Sequence, residues 1–154
     1  VFVQTLGCGL ERITGVESDH PRAQVVYTFP GNWCGVPTIV GHYLIQTAPN
    51  IHSAIVIDIA NAAKPVEVSR VKFGDNFRPH WSGWDAKTSR IVVTPGPTGE
   101  ERLYLLKFDS ATGALSIDEG FHDSDGKAGF NFANREWPHG WTGTGAPHGV
   151  VFSR

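Results

Sequence analysis

Apolar residues in this chain fall in short runs, each closed by a turn rich in Gly, Pro, Asn or Asp, and the runs repeat. Val1-Phe-Val-Gln-Thr5, Tyr43-Leu-Ile-Gln-Thr47 and Arg90-Ile-Val-Val-Thr94 each read as a strand ending in Thr. Two further strands follow each of them. They are Leu10-Glu-Arg-Ile-Thr-Gly and Ala23-Gln-Val-Val-Tyr-Thr, then Ala54-Ile-Val-Ile-Asp-Ile and Val66-Glu-Val-Ser-Arg-Val, then Arg102-Leu-Tyr-Leu-Leu-Lys-Phe and Ala114-Leu-Ser-Ile. Thr5 and Thr47 lie 42 residues apart, and Thr47 and Thr94 lie 47 apart. A period in the forties made only of strands predicts an all-β protein of four-stranded antiparallel β-propeller blades. No segment carries a sustained 3.6-residue apolar period, so no long helix is expected.

The innermost strand of each blade should precede the Thr-ended one. Candidates are Cys34-Gly-Val-Pro-Thr-Ile-Val40, His80-Trp-Ser-Gly-Trp-Asp85 and His148-Gly-Val-Val-Phe-Ser153, the second turning through Ala86-Lys-Thr-Ser89. The predicted organisation is blade strands at 1–31, a second blade at 32–74 and a third at 75–121. An inserted loop at 122–147 and the first strand of a next blade at 148–154 complete it. Three blades cannot close a ring of roughly 4–8. The partners expected are therefore the remaining propeller blades, from the same protein or a second copy. The chain has no Met and opens inside a strand pattern, which favours a piece of something longer. The insertion holds Phe130, Phe132, Trp137 and Trp141, so it is expected to be ordered, with a helical turn at Ala133-Asn-Arg-Glu.

Composition narrows the function classes. Gly 18 and Pro 10 suit many tight turns and disfavour a helical bundle. A net charge of −2 with scattered basic residues argues against nucleic acid as a partner. No 18-residue apolar run is present, so no membrane span is expected. Two cysteines leave the redox compartment open.

The candidate chemistry lies in thiols and imidazoles that the repeat brings to one face. Pro79-His80 and Pro147-His148 open two equivalent inner strands, and Cys34 lies near the start of a third. His52 and Cys8 fall in loops expected on the same side, and His139 lies in the insertion. His80, His148, His52, Cys34 and His139 are therefore candidate metal ligands, because imidazole suits Zn, Cu and Fe and thiolate suits Cu(I) and Zn. No pair has local metal-ligand spacing, so each His also has a purely structural reading, and Cys8 and Cys34 have a disulfide as their alternative. The tryptophans are expected to fill the gaps between blades. Asp58 and Asp109 are expected to cap turns. Asp123, Asp125 and Gly126 resemble part of a calcium loop but lack its full pattern.

The run Arg78-Pro-His80 with a following Arg90-Ile-Val-Val-Thr94, and Pro147-His-Gly-Val-Val-Phe-Ser153, resembles YVTN-type propeller repeats and the selenium-binding protein/methanethiol oxidase family. Cys8-Gly-Leu10, Ser53-Ala-Ile-Val-Ile-Asp-Ile-Ala60 and Lys64-Pro-Val-Glu-Val-Ser69 are similar to that group as well. The resemblance implies a seven-bladed propeller of which this chain is a C-terminal portion. It also implies copper held by channel histidines, carried over here to His80 and His148, and oxidation of a small thiol to an aldehyde, hydrogen sulfide and peroxide. A non-catalytic propeller that binds a protein or small ligand on its top face is the alternative function.

Overall fold

The computed structural model describes residues 1–153. Its strands are β1 (Phe2–Gln4), β2 (Gly9–Thr14), β3 (Arg22–Thr28), β4 (Thr38–Val40), β5 (Tyr43–Ala48), β6 (Ser53–Asp58) and β7 (Val66–Lys72). They continue with β8 (Pro79–Asp85), β9 (Arg90–Pro95), β10 (Arg102–Phe108), β11 (Leu115–Ile117), β12 (Phe130–Asn131), β13 (Arg135–Glu136) and β14 (Thr142–Gly143). A single 3₁₀ turn at Pro49–Ile51 is the only helical element among the described residues. The strands form three antiparallel meanders, β1-β2-β3, β4-β5-β6-β7 and β8-β9-β10-β11, so the second and third are four-stranded, propeller-like blades. The first lacks an innermost strand, and β1 pairs only with β2.

Alternation of side chains stacks the sheets. In a strand, successive residues point to opposite faces. Tyr43 and Ile45 of β5, with Ala54 and Val56 of β6, face the third blade and pack with Phe73, Phe77, Ile91, Val93, Leu106 and Phe108. Their neighbours Leu44, Ala48, Ile55 and Ile57 face the first blade and pack with Cys8, Leu10 and Phe29. Every residue of β5 is consequently buried, as expected for a strand covered on both faces. Each such aliphatic side chain contributes about 1.5–3 kcal/mol relative to exposure. By contrast β3, the outermost strand of the first blade, is mostly exposed, and Val1, Val3 and Val25 face solvent.

Asp58 and Asp109 do cap turns. Asp58 Oδ1 accepts from the Ala60 N–H at 2.7 Å, and Asp109 Oδ1 accepts from the Ala111 N–H at 2.9 Å. Two local expectations change. Residues 133–136 form no helical turn, because Asn134 takes a left-handed φ of 53° and Arg135–Glu136 pairs with Thr142–Gly143 as a small hairpin. The inserted segment is also not wholly outside the blade. Its strand β12 pairs with Arg102–Leu103 of β10, alongside the stretch that β11 pairs further on. Residues 148–153, expected as the first strand of a next blade, form no strand.

Candidate functional site

The inner strands meet edge to edge. Val36 and Trp81 form a parallel bridge, and the Val36 N–H donates to the His80 carbonyl at 2.7 Å. Trp81 lies opposite Thr94 in the β8–β9 ladder, so His80 is the residue just before the bridge on its strand, as Gly35 is on the neighbouring one. Gly35 must be Gly here. A Cβ at that position would lie 2.0 Å from the His80 carbonyl oxygen and 2.4 Å from Thr47 Oγ1, both held in place by hydrogen bonds. Gly35→Ala is therefore expected to destabilise the fold by about 1–3 kcal/mol or more, because backbone rather than a flexible side-chain end must move. Denaturant unfolding with an unchanged slope would measure it.

From that seam two imidazoles project together. The His80 and His148 ring centroids are 5.1 Å apart with planes tilted by 38°. Trp33 lies 5.6 Å from His80, and Trp81 lies 5.8 Å from His148, so the pair sits between two indoles. Nδ1 of His80 is buried and has no hydrogen-bond partner. Burial lowers the pKa of His80 below the usual imidazole value, and the neighbouring His148 lowers it further. Both effects favour neutral imidazole, the form that ligates metal. Two rings bound to one ion at about 2.0–2.1 Å with near-tetrahedral angles have centroids about 5 Å apart, which matches the spacing seen. Among the described residues no third His, Cys, Asp or Glu joins the pair. These two residues thus supply two imidazoles in ring contact, fewer than the three or four ligands a metal site takes.

The other sequence candidates lie elsewhere or are already committed. Cys34 is corrected from ligand to disulfide partner: it is bonded to Cys8 with a Cα–Cα distance of 5.1 Å, and both residues are fully buried. The chain leaving β3 returns across the end of the first blade, where the Cys34 N–H donates to the Leu6 carbonyl at 3.1 Å. That return brings the thiols together although their blades differ. His52 caps the 3₁₀ turn in the left-handed region, and its Nδ1 bonds the Phe77 carbonyl at 2.8 Å, so it fixes a loop. His139 is exposed in the insertion with a φ of 82° and lines an open aromatic cleft with Phe132, Trp137 and Trp141. Asp123 and Asp125 accept from Arg135 and Arg102, which uses the carboxylates that resembled a calcium loop. Only Trp84 of the five tryptophans packs against the core between the second and third blades, 5.7 Å from Phe108.

Sequence reasoning missed the indoles that flank the histidines and the role of Gly35. The signal was available for Trp81, which directly follows His80. For Gly35 it lay in the strand register, which the repeat alone did not fix.

No protein-family model matches the chain, and no curated protein matches it. One solved structure is similar: a crystal structure of a protein from Lactobacillus plantarum, determined as a structural genomics target, with a TM-score of 0.59 and 14% identity. The match covers 72% of this chain and 35% of that one, so this chain corresponds to about a third of the longer protein. At that identity the likeness concerns the fold alone. The class defined by fold and comparison is an all-β protein of antiparallel four-stranded sheets arranged as propeller-like blades.

Proposed function

We propose that this chain is part of a β-propeller metal-binding protein, a copper-dependent oxidoreductase acting on a small thiol, with His80 and His148 as two of its ligands. The observation that supports it is the paired imidazoles at the seam of the inner strands, with a buried, unpartnered His80 Nδ1. A buried polar atom without a partner costs about 1–3 kcal/mol, a cost that ligation removes. The remaining ligands come, in this reading, from blades beyond those of this chain, in a ring of seven. Copper in such a site supplies one-electron redox chemistry. This chain's own contribution, in this reading, is a pair of imidazoles flanked by the Trp33 and Trp81 rings, with burial favouring the neutral form of His80. The choice of copper and of a thiol rests on the motif resemblance, and the choice of a metal rests on the His pair.

A second reading has its own observation. Phe132, Trp137 and Trp141 form a ladder of tilted rings at 5.6 Å and 5.7 Å, and Trp141 is exposed, which suits a propeller that binds a ligand without catalysis. Metal analysis separates the two. In the intact protein His80→Ala is expected to remove most bound metal, an effect of at least tenfold on affinity, and to leave the circular dichroism spectrum unchanged. Unchanged metal content, or no metal after reconstitution with Cu(II), would leave the binding-module reading ahead.

A further inference from the structure

The recurrent threonines that define the repeat lead to the histidines. Thr47 ends β5's apolar core and donates its hydroxyl to the His80 carbonyl at 2.7 Å. Thr94, its counterpart on β9, donates to the His148 carbonyl in the same way. Both threonines are fully buried. The tail passes close to β8, since a Cβ on Gly83 would lie 3.3 Å from the Val150 carbonyl. The third threonine provides the contrast. Thr5 hydrogen-bonds within its own turn, with the Gly9 N–H donating to its Oγ1 at 3.1 Å. The inner strand it would hold carries Gly35 where the next one carries His80. The inter-blade hydroxyl bond therefore occurs at the two junctions where the residue held is a histidine, and it is missing where that residue has no side chain.

We propose that Thr47 and Thr94 are positioning residues, each fixing the peptide plane of one histidine so that the two imidazoles converge. The inference rests on the metal-site reading above. Its physical basis is short. A β-branched residue in a strand has few χ1 choices, so its hydroxyl is a rigid donor. The His80 carbonyl receives two bonds, from Thr47 Oγ1 and the Val36 N–H, which leaves its peptide little freedom to rotate. The direction of Cβ follows from that peptide. Metal bonds of about 2.0–2.1 Å tolerate little error in it. His148 lacks ladder hydrogen bonds, so Thr94 matters more for it than Thr47 does for His80.

The test uses the intact protein loaded with Cu(II). Thr94→Val is expected to weaken Cu(II) about tenfold or more in a competition titration and to change the nitrogen hyperfine pattern in the electron paramagnetic resonance spectrum. Thr94→Ser is expected to restore both, and Thr47→Val to show a smaller effect. If valine prevents folding, alanine at the same position removes the same hydroxyl. A lower melting temperature with unchanged affinity and spectrum in Thr94→Val would show a merely structural threonine and overturn this inference while the metal site stands. Full metal retention in His80→Ala would instead remove the site and the inference together.

Discussion

Arg102→Met is expected to loosen the inserted loop and cost about 2–4 kcal/mol of stability. The Arg102 side chain is only 2% exposed, yet it carries a full charge. Its Nε donates to Glu100 at 2.9 Å, one terminal nitrogen donates to Asp125, and the other to the carbonyls of Lys127 and Ala128 at 3.4 and 3.2 Å. Breaking a fully buried pair costs about 3–5 kcal/mol. Here Glu100 and Asp125 are 30% and 37% exposed and regain water, so the cost falls below that range. Met keeps most of the buried aliphatic volume, which separates lost charge pairing from a cavity. Hydrogen exchange should rise first between residues 122 and 132, where the loop hangs on this guanidinium. The same loop responds to acid. Hydrogen bonds from the Lys127 amide and from Arg102 hold the Asp125 carboxyl below its ordinary pKa, and the Arg135 hydrogen bond holds Asp123 lower still. A depressed folded pKa contributes stability that is complete above the unfolded value of about 3.9 and is lost as pH falls through the folded one. Acidification below about pH 4 is thus expected to loosen the loop. Arg102→Met should make that dependence shallower. Equal exchange in the loop of both proteins at pH 7 would show that Arg102 does not anchor it.

The blade repeat was legible because each interior strand has a simple two-sided pattern. Leu44-Ile45 and Ile55-Val56-Ile57 must satisfy two neighbouring sheets at once, so they read as continuous apolar runs, and the turns between them carry Gly, Asn or Asp. The convergence of His80 and His148 was legible for the same reason, since equivalent strands place equivalent residues alike. What stayed hidden depends on the path of the chain between strands. Cys8 and Cys34 meet only because the segment after β3 doubles back, and nothing in their spacing says so. The hairpin at Arg135–Glu136 read as a helical turn because its residues have ordinary helix propensity. The Asn131 side chain accepting from the Ala133 N–H at 3.0 Å and the left-handed Asn134 decide against it. Arg102 opens the strand the sequence predicts at 102–108, and its burial comes only from the loop folding back over β10.

Replacing both Cys8 and Cys34 with Ala is expected to cost about 2–4 kcal/mol and to lower the melting temperature by roughly 5–15 °C. The bond closes a loop of 26 residues in sequence separation, long enough for the unfolded chain to lose substantial entropy when it is cross-linked. Its position sharpens the expectation. The first blade has three strands, and its outer strand is mostly exposed. Its hold on the second blade is the patch of Leu10, Phe29, Leu44, Ile55 and Ile57 around the disulfide, with a hydrogen bond from the Tyr27 hydroxyl to Glu67 at 3.2 Å. The second and third blades share a larger apolar interface. Loss of the disulfide should therefore open the chain unevenly. Amides of β1, β2 and β3 should exchange early, while those of β5, β6 and β9 keep their protection. The same order should follow when a reductant acts on the native protein under mild denaturant, because both cysteines are buried and opening must precede attack. Uniform loss of protection across all three blades would show that the chain unfolds as one unit and that the bond is no local staple. Protection in β1–β3 unchanged by the double substitution would show that contacts other than the disulfide hold the first blade in place.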